Sequence, residues 1–62
     1  MKVRDLIKLL ENEGWYLDRM KGSHRQFKHP TRQGTVTVAG NPGTDMPPGT
    51  LKVIVKQSGL KK

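Results

Sequence analysis

Two histidines are the only side chains in this chain that, unperturbed, exchange protons near neutral pH, and one of them has unusual neighbours. His24 follows Gly22 and Ser23 and stands between two cations, Lys21 and Arg25. Imidazole can both donate and accept a proton in this pH range, so His24 can act as a general acid or base beside a bound polyanion. We therefore take His24 as the candidate catalytic residue.

RNA is the polyanion that such a residue could cleave without a metal ion or a serine nucleophile. Its own 2′-hydroxyl is the nucleophile, so the protein must supply a base, charge stabilisation for the transition state and a proton for the leaving 5′-oxygen. His24 can supply the base or the proton. The candidates for stabilising the transition-state charge and for binding RNA are Lys21, Arg25 and Lys28. The side chain of Arg25 can, however, lie on the opposite side of its strand from His24. No second proton carrier is evident, and we expect a slow enzyme that relies on one histidine.

Three other uses of these side chains are less well supported. His29 is five residues from His24, so an unbroken strand sends the two rings to opposite faces, and a histidine before a proline at a strand end is more often structural. Ser23 has no nearby acid to orient a Ser-His pair, so we expect it to hydrogen-bond the turn or a phosphate instead. A metal site lacks a third ligand, and the surrounding charge repels cations. We expect no metal and no cofactor.

The net charge of +7 is concentrated after residue 18. Residues 19–62 carry nine cations and one acid, and five of those cations lie from Arg19 to Arg32 with no acid among them. This basic stripe is typical of nucleic-acid-binding proteins and predicts binding that weakens with salt. An acidic protein partner is a second use of the same surface.

Length and composition limit the remaining possibilities. Sixty-two residues, of which 32% are apolar, are enough for a single domain over 1–62 with one thin core. The chain has no cysteine, which excludes disulfides and thiolate chemistry. Its apolar runs are only a few residues long, so we expect no membrane segment and no signal peptide. A cytoplasmic location fits these features.

Apolar periodicity predicts the order α-β-β-β-α. Apolar residues recur on one helical face over 3–13 and again over about 48–57. Between them we predict strands over 15–20, 24–29 and 35–39, with a tight turn at Lys21-Gly22-Ser23 and a long connection from Gly40. Short links favour an antiparallel sheet. The predicted fold is α+β, with both helices covering one face of a three-stranded sheet.

Strand alternation then assigns the faces of the second strand. If Phe27 points under the helices, then His24, Gln26 and Lys28 point to the uncovered face, and Arg25 shares the side of Phe27. An uncovered, cationic face suits a reactive histidine. Trp15 and Tyr16 could stack on bases, but core packing is the better-supported expectation for them.

The residues also resemble a known family. Gly22-Ser23-His24 followed by Phe27, after a helix that ends in Gly14-Trp15, is similar to the HicA-type toxins of bacterial toxin–antitoxin pairs. The stretch from Met46 through Gly59 resembles that family's second helix, and the resemblance runs from Leu6 to Leu60. It implies a double-stranded-RNA-binding-domain-like fold and an endoribonuclease that acts on messenger RNA (an mRNA interferase). It also implies His24 as the catalytic histidine, Gly22 and Ser23 as residues that shape and support the site, and inhibition by a HicB-type antitoxin.

Two other functions compete with this interpretation. The first is a non-catalytic module for duplex RNA, which is the usual task of this fold; such domains carry a cationic cluster at the start of the second helix, where this chain has Pro47-Pro48-Gly49-Thr50 and no cation before Lys52. The second is a DNA-binding or assembly subunit without enzymatic activity. If the chain is a toxin, we expect the antitoxin to bury the face around His24 with acidic side chains.

Overall fold

A computed structural model describes residues 1–60. The chain forms a helix, three strands and a second helix, in the order that the apolar periodicity predicts. The elements are α1 (Val3–Asn12), β1 (Tyr16–Lys21), β2 (His24–Lys28), β3 (Val36–Ala39) and α2 (Pro48–Ser58). The strands form one antiparallel sheet in the order β1-β2-β3. The predicted α+β architecture is thus confirmed, and β2, which carries His24, is the central strand.

One face of the sheet packs against both helices. Phe27, Val36 and Val38 are 1%, 1% and 0% exposed, as the alternation of β2 and β3 predicts. The core that they form with the helices also includes Val3, Leu6, Leu10, Trp15, Met46, Ile54 and Leu60. The opposite face of β2 and β3 carries exposed side chains, including His24, Lys28 and Thr37. We call this second surface the open face.

The ends of α1 are set by local hydrogen bonds. Lys2 is the N-cap residue, and its backbone N–H donates to Asp5 Oδ2 at 3.2 Å, which satisfies one of the amides that a helix start leaves unpaired. At the other end, Gly14 has a φ of 97°, a backbone angle that glycine adopts with little strain. The chain reverses there, and the Trp15 N–H donates to the Leu10 carbonyl at 3.0 Å.

Strand β1 contains a bulge at Asp18. Leu17 pairs with Phe27 and Arg19 pairs with Gln26, so two steps along β1 correspond to a single step along β2. A bulge of this kind shifts the alternation of side chains. Leu17 and Met20, three positions apart, therefore both share the face of their partners Phe27 and Arg25, where they remain 48% and 54% exposed. The sequence expectation of a plain strand over 15–20 is corrected here: β1 begins at Tyr16, and it is interrupted.

The long connection after β3 is anchored to the start of α1. The Val3 N–H donates to the Thr44 carbonyl at 2.9 Å, and the Met46 N–H donates to the Met1 carbonyl at 2.8 Å. Lys2 Nζ lies 3.3 Å from Asp45 Oδ1. Helix α2 then begins at Pro48 and ends at Ser58, and its C-cap residue, Gly59, has a φ of 74°. Within residues 1–60, neither helix is long and apolar enough to cross a bilayer.

Candidate active site and nucleic-acid interface

The hairpin between β1 and β2 presents His24 at the rim of the open face. Lys21 and His24 pair across the hairpin, which leaves Gly22 and Ser23 as a two-residue turn. Gly22 has a φ of 60°, and Ser23 has a negative φ, the pattern of a type II′ turn, which favours glycine at its first position. A Cβ on Gly22 would meet no atom within 4 Å. The backbone angle, rather than lack of space, is therefore the reason for glycine here.

Gly40 ties this turn to the end of β3. Its N–H donates to the Ser23 carbonyl at 3.2 Å, and its carbonyl accepts from Arg25 Nη1 at 2.9 Å. The residues immediately before and after His24 are thus both bonded to one glycine of the neighbouring strand end. We call this arrangement the Gly40 clamp. It fixes the backbone of His24 from both sides, while the imidazole itself is exposed.

Cross-strand pairing surrounds His24 with one cation and one small residue. Lys21 lies beside it on β1, and Ala39 lies beside it on β3. Because directly paired residues of an antiparallel sheet share a face, Lys21 can place its ammonium near a group bound at His24. On the other side the short Ala39 side chain leaves room above the sheet. This flank of His24 is therefore open to solvent.

Two further rows of paired residues continue the open face along β2. The next row joins Arg19, Gln26 and Thr37, and the last pairs Lys28 with Tyr16. Arg19 reaches this face only because of the bulge at Asp18, and its Nε lies 3.7 Å from Asp18 Oδ2. The open face thus carries Arg19, Lys21 and Lys28 around His24. Arg19 belongs to the basic stripe of the sequence, and only the sheet register shows that it also lies beside the site.

Arg25 has a different position from the two site lysines. It pairs with Met20 and Val38 on the helix-covered side and is half-buried. Its Nη1 is engaged by the Gly40 carbonyl. Strand alternation predicts this side for Arg25, because it shares the side of Phe27. The contact gives this guanidinium a structural partner that the sequence did not reveal.

His29 is held away from the open face by a network of its own. Its Nε2 lies 2.8 Å from the Glu13 carbonyl, which can only accept, so Nε2 carries the hydrogen. Its Nδ1 accepts from the backbone N–H groups of Thr31 and Arg32 at 3.1 and 3.3 Å. The ring also packs edge-on against Trp15, with 5.2 Å between the ring centroids. These contacts occupy both nitrogens and make His29 a structural residue that joins the end of α1 to the loop after β2.

The two aromatic residues at the start of β1 have separate roles. Trp15 is only 2% exposed and belongs to the core, whereas Tyr16 is 49% exposed. The expectation of core packing is therefore confirmed for Trp15 and wrong for Tyr16. A cavity of about 680 Å³ lies between the two helices, lined by Leu9, Leu51 and Val55 among others, and His24 is not part of it. The site at His24 is an open platform.

Comparison with known protein families identifies the family of this chain. A family model described as HicA toxin of bacterial toxin–antitoxin matches residues 3–60. The chain belongs to the HicA toxin family. No curated protein matches it. Membership covers both helices and all three strands, and the Gly22-Ser23-His24 run that first indicated the family forms the β1–β2 turn and the start of β2.

Membership of the HicA family implies a toxin and a cognate antitoxin. Within residues 1–60 the open face is cationic and has no covering element, whereas the other face is covered by α1 and α2. The start of α2 at Pro48 carries no cation before Lys52. This HicA chain therefore lacks the cationic helix start that passive duplex-RNA binders use.

Proposed function

We propose that this HicA-family chain is a metal-independent endoribonuclease that cleaves messenger RNA with His24 as its catalytic residue. The observation that carries the proposal is the exposed imidazole on a clamped turn, beside Lys21 and within a cationic open face. A proton-transfer group needs a fixed position and access to substrate. The Gly40 clamp provides the first, and the absence of a covering helix over this face in residues 1–60 provides the second.

The reaction follows from the nucleophile that RNA carries. His24 accepts the proton of a 2′-hydroxyl as its oxygen attacks the adjacent phosphorus, forming the O2′–P bond. The P–O5′ bond breaks, and the leaving 5′-oxygen takes a proton from the imidazolium or from water. Lys21 lies where it can offset the added negative charge of the phosphorane-like transition state. The products are a 2′,3′-cyclic phosphate and a 5′-hydroxyl.

The other candidate site residues take supporting roles in this proposal. Gly22 and Ser23 shape the turn, and the Ser23 carbonyl completes the clamp. Lys28, with Arg19, binds phosphates along β2. The sequence predicts that Arg25 binds RNA directly, but its contact with the Gly40 carbonyl supports a role in holding the turn instead.

We also propose that the cognate antitoxin is of the HicB type and inhibits by covering the open face. A protein with acidic side chains would be attracted to Arg19, Lys21 and Lys28, and it would exclude RNA from His24 by occupying the same surface. Charge reversal at Lys28 should then slow association with the antitoxin and make association less sensitive to salt. Binding that remains unchanged would contradict this placement of the antitoxin.

The chemistry is tested with purified protein and a single-stranded RNA in excess chelator. Cleavage should continue, and it should stop when the nucleotide before the scissile bond carries a 2′-deoxyribose. Cleavage that disappears in chelator, or that persists at the 2′-deoxy position, would contradict the mechanism. In cells, growth arrest by the wild-type chain and not by His24→Ala supports the nuclease, whereas equal harmlessness supports the non-catalytic RNA-binding alternative.

A further inference from the structure

Tyr16 is the one exposed aromatic residue among three. The chain has a single Trp, a single Tyr and a single Phe. Trp15 and Phe27 are 2% and 1% exposed, whereas Tyr16 is 49% exposed. A large, half-exposed ring at the start of a strand is not required by the core, because Trp15 already fills the adjoining position beneath the helices. The exposure of Tyr16 therefore calls for another explanation.

The sheet register places Tyr16 on the same face as His24. Tyr16 pairs with Lys28, which lies on the open face, and Lys21 on the same strand pairs with His24. His24 and Lys28 are four residues apart on β2, which corresponds to about 13 Å along an extended strand. The row of Arg19 and Gln26 lies between them. An extended single strand of a few nucleotides can span this distance over a continuous run of cations.

We propose that Tyr16 forms a base-stacking subsite for single-stranded RNA, a few nucleotides from the phosphate that His24 attacks; this inference rests on the proposed function. The aromatic ring would receive the face of one base, while Lys28 beside it binds the neighbouring phosphate. Stacking of this kind tolerates any base, because every base has a π-face. Base faces are accessible in single strands and hidden in duplexes. The subsite therefore selects unpaired RNA without selecting its sequence.

Strand β1 supplies a matched control for this inference. Leu17 is 48% exposed, nearly the same as Tyr16, and it precedes the bulge on the same strand. It pairs with Phe27, so it lies on the opposite side of the sheet. Leu17→Ser removes a comparable exposed apolar side chain without changing the open face. Tyr16→Phe keeps the ring, and Tyr16→Ser removes it.

The test measures binding of the full chain to a fluorescent 2′-O-methyl oligonucleotide, which cannot be cleaved through a 2′-hydroxyl. Tyr16→Ser should raise the Kd about tenfold, in line with the usual effect of removing one base–aromatic stack. Tyr16→Phe and Leu17→Ser should stay within twofold of wild type.

A base-free site scanned along the oligonucleotide makes the test specific to stacking. At one position of the oligonucleotide, the missing base should weaken binding to the wild-type chain by the same factor as Tyr16→Ser does. The same missing base should not weaken binding to the Tyr16→Ser variant any further. Equal binding of Tyr16→Ser and Leu17→Ser, or additive losses at every base-free position, would overturn the subsite. So would loss of antitoxin binding with RNA binding unchanged, which would make Tyr16 a protein contact. Because the ligand is uncleavable, Tyr16-dependent binding can persist even if His24 proves dispensable for cleavage, so the two proposals fail separately.

Discussion

Replacing Arg25 by methionine separates a residue that holds the turn from one that binds RNA. The change keeps most of the apolar stem and removes the guanidinium that donates to the Gly40 carbonyl at 2.9 Å. A hydrogen bond from a charged group contributes about 1.5–3 kcal/mol to stability. Because Arg25 is only half-buried, we expect the lower limit, about 1.5 kcal/mol. For a domain of this size that loss lowers Tm by about 6–12 °C.

Lys28→Met is the matched control, because it removes the same charge from an exposed position of the same strand. It should change the free energy of unfolding by less than about 0.5 kcal/mol. Its effect should appear instead in RNA binding: the slope of log K against log salt should become shallower by about 0.7, the value for one lost phosphate contact on a single strand. Arg25→Met should leave that slope unchanged.

Catalysis gives the third measurement on the same pair of variants. The assay is run at a temperature below the Tm of the variant, where the protein is folded. If the Gly40 clamp positions His24, Arg25→Met should then lower kcat by about tenfold to a hundredfold and change KM little. Lys28→Met should mainly raise KM. The assays are thermal unfolding, RNA binding from low to high salt, and steady-state cleavage. Wild-type stability of Arg25→Met together with a shallower salt slope would refute the clamp and restore direct RNA binding by Arg25.

The remaining predictions concern the turn, the anchor of α1 and the cationic face. Gly22→Ala should destabilise the fold by about 1–2 kcal/mol, because alanine is strained at a φ of 60°; urea unfolding measures this, and an unchanged midpoint would show that the turn has another conformation. Gly14→Ala should cost more than Gly22→Ala, since its Cβ would also lie 2.7 Å from His29 Nε2; equal losses would contradict the His29 contact. Lys21→Gln should lower kcat more than Lys28→Gln does, because Lys21 pairs with His24; single-turnover cleavage decides, and the reverse order would contradict the proposed charge stabilisation.

Periodicity predicted the elements because each one follows a simple repeat. Val36 and Val38 alternate with threonines, and the apolar face of α1 recurs at helical spacing, so strand and helix could be assigned and their buried sides identified. The same alternation predicted that His24 and Lys28 would share the uncovered face. These expectations depend only on local geometry, and the structure agrees with them.

Features that depend on one displaced residue or on a distant contact could not be predicted. The bulge at Asp18 interrupts the alternation of side chains along β1. Strict alternation would send Tyr16 and Arg19 to opposite faces, whereas the observed register places both on the open face. A weak signal was present, since Leu17 and Met20 are apolar but three positions apart. The Gly40 clamp joins residues 15 or more positions apart, and the sequence indicates only that Gly40 begins a long connection. The contacts of His29 with Glu13 and Trp15 likewise required the tertiary structure.

The central claim is that one exposed imidazole transfers the proton in RNA cleavage. The most direct measurement is the single-turnover cleavage rate of His24→Gln, compared with wild type in chelator, with Tm and RNA affinity measured on the same samples. Because His24 is exposed and makes no core contact, the variant should keep its Tm and bind RNA as wild type does. We predict a loss of cleavage of at least about a hundredfold, within the usual contribution of a general acid–base group. Cleavage by His24→Gln at the wild-type rate would contradict the account.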